Sequence, residues 1–175
     1  MTALAIVLLL VALQRIGELI YAERNTRALR RCGAIEHGAA HYPLIVLLHL
    51  AWLVSIGVFV PWHTAPSLPL LGLFIVLQGL RVWVVASLGP HWTTRVIVLD
   101  GAPLVRRGPY RWLRHPNYAV VAGEIALLPL MFGAWRIAAI FSVLNGAMLW
   151  WRIRVEDRAL GRAPRLSGEW QPRSR

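Results

Sequence analysis

Two short polar stretches hold most of the side chains that could do chemistry. The first, residues 108–118, reads GPYRWLRHPNY, and the second, residues 152–157, reads RIRVED. Both border hydrophobic blocks, and the apolar segment 119–151 separates them. If that segment is a helical hairpin, both stretches lie on the same side of a membrane. Together they would offer aromatic, imidazole, carboxylate and guanidinium groups where a water-soluble cofactor could meet an apolar substrate.

The composition places these stretches in a membrane protein. Hydrophobic residues make up 57% of the 175 residues and charged residues only 15%, which is too apolar for an ordinary soluble domain. The net charge of +11 comes from arginine, since the sequence has no lysine. The arginines fall between hydrophobic blocks, which is a membrane topology signal and argues against a nucleic-acid-binding face. Cys32 is the single cysteine, so neither an intramolecular disulfide nor a cysteine-only metal site is possible.

Five hydrophobic blocks predict five transmembrane helices. Their residues are 3–21, 43–60, 70–88, 119–134 and 136–151. A span needs ~20 residues, so the last two blocks are somewhat short and leave room for a thinned or water-lined region beside them. They are separated so narrowly that we expect a tight antiparallel hairpin. The predicted fold is therefore an all-α integral membrane protein, with a short C-terminal helix after the hairpin.

The arginines also predict the orientation. Loops 22–42 and 89–117 are rich in arginine, whereas loop 61–69 has none. The positive-inside rule therefore predicts that both basic loops and the C-terminus are cytoplasmic, with the N-terminus outside. We expect one membrane domain over 1–175, composed of three N-terminal spans (1–88), a cofactor-binding half with two spans (89–161) and a loose tail (162–175).

Several polar residues interrupt the hydrophobic blocks. Arg15 and Glu18 are three residues apart and should pair on one helix face. Arg81 is close enough to a span end for its side chain to reach the interface. His49 should bond to a neighbouring helix. The tryptophans near span ends are expected to be interfacial anchors; these are Trp83, Trp92, Trp112, Trp150 and Trp151.

The connections carry two further signals. Residues 95–99 are rich in β-branched side chains and should be extended, with Asp100-Gly101 as a turn. His37 and His41 are four apart, but no clear third ligand accompanies them, so we expect no metal site.

The two polar stretches resemble a known family. Arg114-His115-Pro116-Asn117-Tyr118, an apolar hairpin, and then Arg152-(x3)-Glu156-Asp157-(x2)-Leu160 are similar to the isoprenylcysteine carboxyl methyltransferase family. Gly108-Pro109-Tyr110 matches the family's lead-in, and the resemblance covers roughly residues 92–160. It implies a membrane enzyme that transfers a methyl group from S-adenosylmethionine to an oxygen of a lipophilic acceptor.

The resemblance also implies individual roles. Arg152 would hold the anionic oxygen of the substrate, and Glu156 would bind the cofactor. The further residues expected at the cofactor are Arg95, Ala102, Pro103, Leu104, Val105, Tyr110, His115, Pro116, Asn117 and Tyr118.

These roles agree with the chemistry of the side chains. Glu156 can accept hydrogen bonds from ammonium or ribose hydroxyl groups, and the aromatic faces of Tyr110 and Tyr118 favour a sulfonium. A carboxylate or an acidic enol is already ionised and needs only alignment by arginine. A less acidic phenol would need a base, for which Glu124 is the candidate, because it lies seven residues after Asn117 on the same helix face. Alternatively, Glu124 forms an interhelical hydrogen bond with Asn145.

The acceptor is less well specified. The family's usual C-terminal continuation is replaced by Gly161-Arg162-Ala163-Pro164-Arg165, and the N-terminal half resembles a bacterial branch of the family, which implies a bacterial inner-membrane location. That branch is similar to enzymes that methylate phenolic lipids and alkylpyrones. We therefore expect O-methylation of a hydroxyl or enol on a membrane lipid, with a prenylcysteine-like carboxylate as the alternative acceptor. A non-enzymatic membrane subunit or small transporter is the alternative from another class, and the sequence does not predict an oligomeric state.

Overall fold

A computed structural model describes residues 1–99 and 105–162. Five α-helices and two short strands make up most of this part of the chain. Their order is α1 (Ala3–Arg31), β1 (Ile35–His37), α2 (Tyr42–Phe59), α3 (Leu68–Leu88), β2 (Val96–Val98), α4 (Pro116–Leu130) and α5 (Trp135–Arg162). The structure is therefore mostly helical, as the sequence predicts.

Among the described residues, three helical segments are long and apolar enough to cross a membrane. These are α1, α2 and residues Leu68–His91, which contain α3. Many of their apolar side chains are exposed, including Leu10, Leu47 and Val82, as expected for surfaces that face lipid. The protein is thus an integral membrane protein. Because α4 has only 15 residues, the predicted number of five spans stays a prediction.

The first helix is longer than the hydrophobic block that predicted it. It runs to Arg31, so residues 22–31 continue the helix instead of forming the expected polar loop. Asn25 and Thr26 lie in this extension and are buried. The Asn25 side chain donates to the backbone oxygens of Gly89 (3.1 Å) and Trp92 (2.8 Å). The extension therefore packs against the end of α3 and the start of the following connection.

A two-stranded antiparallel ribbon corrects the all-α prediction. Ile35 pairs with Val98 and His37 pairs with Val96. The extended segment was predicted, but its partner strand lies about sixty residues earlier in the chain, where the sequence offers no clear strand pattern. Val96 and Val98 bury their side chains against Ala159 of α5. The ribbon thus joins the segment after α1 to the end of the last helix.

The predicted tight hairpin is present between α4 and α5. Only residues 131–134 separate the two helices, and Gly133 adopts a left-handed conformation with φ of +76° in this turn. The last helix then continues without a break to Arg162. The fifth block and the expected short C-terminal helix are therefore one element, which carries Arg152 and Glu156 on its second half.

Close packing near Gly108 fixes the entrance to α4. Gly108 has φ of +56°, and a Cβ at this position would overlap the Ser87 hydroxyl and lie 3.1 Å from Nε1 of Trp83. The 3₁₀ turn Gly108–Arg111 consequently lies directly on α3. Next to it, Trp92 is buried at 3% exposure in an apolar cluster with Ala22, Val84 and Val120. The prediction that Trp92 is an interfacial anchor was wrong, because the connection after α3 folds back onto the helices.

Candidate functional site

The hydroxyl of Tyr118 lies between two charged side chains of α5. It donates to Oε2 of Glu156 and accepts a hydrogen bond from Nε of Arg152 at 2.8 Å. Arg152 is buried at 8% exposure, whereas Glu156 is half-buried. A buried guanidinium needs hydrogen-bond partners, and here one is a tyrosine that in turn holds a carboxylate. The three side chains therefore form one connected polar cluster.

Local sequence explains how these side chains meet. Arg152 and Glu156 are four residues apart and so lie on one face of α5. Pro116 occupies the first turn of α4, where its fixed φ and missing N–H are favourable. This start places Asn117 and Tyr118 at the beginning of the helix, and the hairpin brings that end of α4 alongside the second half of α5.

His115 extends the cluster on the other side of Tyr118. The two rings stack with centroids 5.3 Å apart and an interplanar angle of 16°. Nε2 of His115 lies 3.3 Å from Oδ1 of Asp157, and Nδ1 lies 3.8 Å from Oε1 of Glu156. Asp157 also pairs with Arg114 at 3.1 Å. Arg114 and His115, the two residues just before α4, therefore both contact the acidic pair Glu156 and Asp157 on α5.

A backbone oxygen completes the surroundings of Arg152. Nη2 of Arg152 donates to the carbonyl of Thr94 at 2.7 Å, just before β2. The Thr94 hydroxyl lies 3.3 Å from the hydroxyl of Tyr42. The guanidinium is therefore held in place through Nε and Nη2.

Two features near the cluster could contribute to a ligand site. Oδ1 of Asn117 is buried and accepts no hydrogen bond from the described residues; such an atom is costly unless a ligand or water satisfies it. An open depression of about 330 Å³ is lined by Arg106, Tyr110 and Arg111. Burial, reinforced by the nearby charge of Glu156, raises the pKa of Tyr110. Tyr110 is therefore a neutral hydroxyl at physiological pH.

Not every predicted site residue lies in this cluster. Arg95 pairs with Glu36 of β1 at 2.8 Å and lies over the ring of Tyr42, 4.2 Å from its centroid. Burial acts against ionisation of Glu36, but hydrogen bonds and charge from Arg95 and Arg30 hold the pKa of Glu36 below its ordinary value. Arg95 thus stabilises the two-stranded ribbon. Pro116 is buried and Val105 is half-buried, while Ala102, Pro103 and Leu104 lie outside the described residues, as does the turn predicted at 100–101.

Glu124 lies among cations instead of at the Tyr118 cluster. It pairs with Arg15 at 2.7 Å and with Arg81 at 2.8 Å, and it accepts from Gln78 at 2.9 Å. These contacts replace the suggested hydrogen bond with Asn145. Glu124 as a catalytic base stays a prediction, but its carboxylate is engaged by two guanidinium groups and an amide.

The predictions for Arg81 and His49 were wrong. Arg81 is buried at 5% exposure and does not reach the interface. His49 bonds to the backbone oxygen of Ile45 in its own helix at 2.8 Å, not to a neighbouring helix. The Arg15–Glu18 pair is confirmed at 3.1 Å. The sequence did hold a signal for the charged contacts around Glu124. Two cations and two carboxylates interrupt the apolar blocks, and each of these charges must find a partner.

Thr94 and Asp157 were not assigned a role from sequence. Thr94 acts through its backbone oxygen, for which residue type carries no signal. Asp157 does belong to the polar stretch after the hairpin, and its spacing from Glu156 and Arg152 could have suggested a contact with the start of α4.

The described helices and this cluster define a membrane protein whose polar site lies where a helical hairpin meets the connection after α3. Residues 70–162, just over half of the chain, match the isoprenylcysteine carboxyl methyltransferase (ICMT) family. The chain is also 41% identical over 151 residues to a Bacillus subtilis (strain 168) protein named uncharacterized protein YpbQ, covering 84% of this chain and 90% of that protein. No solved structure matches the chain.

The chain therefore belongs to the ICMT family. This membership indicates a membrane methyltransferase, and methyltransferases of the family generally use S-adenosylmethionine. It also accounts for the pairing of the two polar stretches across the hairpin, since both lie within the matched segment.

Proposed function

We propose that this protein is an S-adenosylmethionine-dependent O-methyltransferase whose acceptor is a lipophilic molecule with an acidic hydroxyl or enol. One observation carries the proposal: the Tyr118 hydroxyl joins Arg152 to Glu156 beside an unpartnered, buried oxygen of Asn117. This arrangement supplies an acceptor set for a polar cofactor and a fixed cation for an acceptor oxygen, at the edge of a membrane-embedded hairpin.

The side chains fit the proposed cofactor. Its ammonium and ribose groups are hydrogen-bond donors, and they suit the carboxylate of Glu156 and the unpartnered amide oxygen of Asn117, which accept hydrogen bonds. The stacked rings of His115 and Tyr118 offer an aromatic surface, which a sulfonium favours. When bound, S-adenosylmethionine supplies an electrophilic methyl group. Tyr110, which lines the depression, lies near enough to Glu156 to feel its charge.

Arg152 is assigned to the acceptor. Methyl transfer to oxygen is a direct displacement, so the protein must chiefly align the two reactants and exclude water. Two nitrogens of Arg152 are fixed by Tyr118 and Thr94. In this proposal, Nη1 holds the acceptor oxygen as an anion. Because this guanidinium is buried, its charge acts with little screening.

The contacts of Glu124 bear on the class of methyl acceptor. The carboxylate of Glu124 is engaged by Arg15 and Arg81 and is a poor proton acceptor while both contacts persist. We accordingly propose an acceptor that is already ionised near neutral pH and needs no base. Within this class we favour an acidic enol such as an alkylpyrone, and a prenylcysteine-like carboxylate is the second candidate, since Arg152 suits either anion.

The orientation is part of the proposal. The exposed arginines around α4 and the end of α1 favour a cytoplasmic site and C-terminus, with the N-terminus outside. A cytoplasmic site would have direct access to a soluble cofactor, while the hairpin would receive the acceptor from the membrane.

Methyl transfer to defined acceptors tests this proposal. Purified protein in lipid nanodiscs would receive S-adenosylmethionine labelled in its methyl group, with an alkylpyrone or a prenylated cysteine offered separately. Transfer to the alkylpyrone that is lost in Arg152→Gln but kept in Arg154→Gln supports the assignment; Arg154 is exposed and lies over Trp150, so it is a matched control. Transfer only to the prenylated cysteine would select the second candidate. Transfer to neither acceptor, by protein that also fails to bind S-adenosylhomocysteine, would contradict the proposed function.

A further inference from the structure

Four charged side chains form a closed ring between three helices. Arg15 and Glu18 lie on α1, Arg81 on α3 and Glu124 on α4. Arg15 pairs with Glu18 at 3.1 Å and with Glu124 at 2.7 Å. Arg81 pairs with Glu124 at 2.8 Å and binds Glu18 through two of its nitrogens. Each charge therefore contacts two opposite charges.

The ring is buried and electrically neutral. Arg81 and Glu124 are 6% and 3% exposed at their side chains, and Arg15 and Glu18 are 16% and 14% exposed. Three of these residues lie in helices long and apolar enough to cross a membrane. Removing one member would leave an uncompensated charge in an apolar region, which is far more costly than removing an oppositely charged pair together. The ring thus strongly favours one arrangement of its helices.

That arrangement sets the face of α4 that carries the candidate cofactor site. Glu124 is seven residues after Asn117, or two helical turns, so both side chains lie on the same face of α4. Gln78 of α3 binds Glu124 as well, at 2.9 Å. A rotation or slide of α4 that moved Asn117 and Tyr118 would therefore have to break contacts in the ring.

We propose that Arg15, Glu18, Arg81 and Glu124 are positioning residues, which hold the first turn of α4 in the orientation that the site requires. The proposal rests on the proposed function for its link to a cofactor. It makes α1 part of the functional unit, although α1 lies outside the residues 70–162 that match the family. The same ring gives Glu124 a role that does not require proton transfer.

Single and double substitutions of ring residues provide the test. The single substitutions Arg15→Gln and Glu124→Gln each leave a net charge in the ring, whereas the double substitution leaves Glu18 and Arg81 as a neutral pair that keeps both of its hydrogen bonds. The matched control is Glu23→Gln with Arg27→Gln, an exposed pair on the same helix α1. All proteins would be full-length and purified in detergent.

Two readouts separate this inference from the proposed function. The first is hydrogen exchange of the backbone at residues 116–121, which requires no cofactor. The second is the Kd for S-adenosylhomocysteine, measured by calorimetry. We expect each single variant to exchange faster in the first turn of α4 and to bind about tenfold more weakly or worse, and the double variant to recover most of both losses, because mutually paired charges are strongly non-additive. The control should match the wild-type protein.

Each other outcome has a defined meaning. Singles that behave like wild type, or a double variant as impaired as the worse single, would overturn the positioning role. A double variant that recovers binding but transfers no methyl group would support the positioning role and would assign Glu124 a further role in methyl transfer. If a single variant does not fold, the double variant is compared with the wild-type protein by the same two measurements, and that comparison decides the outcome. If wild-type protein binds no S-adenosylhomocysteine, the proposed function fails, and hydrogen exchange alone decides whether the ring orders α4.

Discussion

The Tyr118 hydroxyl donates a hydrogen bond to the carboxylate of Glu156, and this bond links the first turn of α4 to the second half of α5. The two residues are 38 positions apart, and the turn of the hairpin lies at the far end of both helices. Arg152 binds the same hydroxyl. The position of one tyrosine oxygen therefore couples the carboxylate proposed for the cofactor to the guanidinium proposed for the acceptor.

Removing this oxygen alone should weaken cofactor binding. Tyr118→Phe keeps the aromatic ring that stacks on His115 but leaves Glu156 and Arg152 without their shared partner. Because hydrogen bonds to charged groups contribute about 1.5–3 kcal/mol, the Kd for S-adenosylhomocysteine should rise by about tenfold to a hundredfold. Calorimetry would measure this, with Tyr21→Phe on the exposed side of α1 as the control. An unchanged Kd for Tyr118→Phe would exclude the hydroxyl from organising the site.

Arg152→Lys should separate turnover from cofactor binding. Lysine keeps the positive charge, but its single ammonium lacks the planar set of donors that reaches both Tyr118 and Thr94. We expect kcat with an alkylpyrone to fall by about a hundredfold, the loss typical when a positioning contact at the reacting atoms is disturbed. The Kd for S-adenosylhomocysteine should change much less. An effect confined to that Kd would reassign Arg152 to the cofactor.

Gly108→Ala should destabilise the protein. The substitution places a Cβ at φ of +56° and against the hydroxyl of Ser87. The backbone conformation costs roughly 1–2 kcal/mol and the overpacking roughly 1–3 kcal/mol, so the free energy of unfolding should fall by about 2–5 kcal/mol. The midpoint of thermal unfolding in detergent, followed by tryptophan fluorescence, provides the measurement.

Gly146→Ala is the matched control for this change. Gly146 lies in α5 with open space where a Cβ would be added, and alanine is the better helix former there by roughly 0.5–1 kcal/mol. The melting temperature of this variant should stay level or rise slightly. Equal destabilisation by both substitutions would mean that the close contact between Gly108 and α3 does not contribute to the free energy of unfolding.

The carboxylate of Glu36 in the ribbon should make the free energy of unfolding depend on pH in acid. The pKa of Glu36 is lowered from its ordinary value of 4.5 by Arg95 and Arg30. A carboxylate with a depressed folded-state pKa stabilises the fold above its unfolded-state pKa, and this contribution is lost as the pH falls through the lower folded-state value. The stability difference between wild type and Glu36→Gln should therefore be constant above pH ~5 and shrink below it. Melting temperatures from pH 7 to pH 3 would show this, and a difference independent of pH would contradict it.

The sequence predicted the parts of the site that depend on local spacing. Arg152 and Glu156 lie on one face because they are four residues apart in a helix, and a short apolar hairpin returns them to the residues after His115. The family resemblance in these two stretches was confirmed. Predicting such features requires only the helical period and the lengths of the connections.

The parts that escaped prediction depend on contacts between distant segments. Local hydropathy could not show that Arg81 would meet Glu18 and Glu124 on two other helices. It also could not show that residues 22–31 would remain helical, with the Asn25 side chain bonded to the backbone of Gly89 and Trp92. Burial of Trp92 follows from the same folding-back of the connection. These tertiary contacts outweigh the local preference of each segment.

The central claim is that Glu156 belongs to an S-adenosylmethionine site, and calorimetry with S-adenosylhomocysteine tests it most directly. Full-length protein would be compared with Glu156→Gln and with Glu23→Gln, a matched change of an exposed carboxylate on α1. We predict that wild type and Glu23→Gln bind alike and that Glu156→Gln binds at least about tenfold more weakly. Equal binding by all three proteins would contradict the assignment of Glu156, and no binding by folded wild-type protein would contradict the methyltransferase proposal itself.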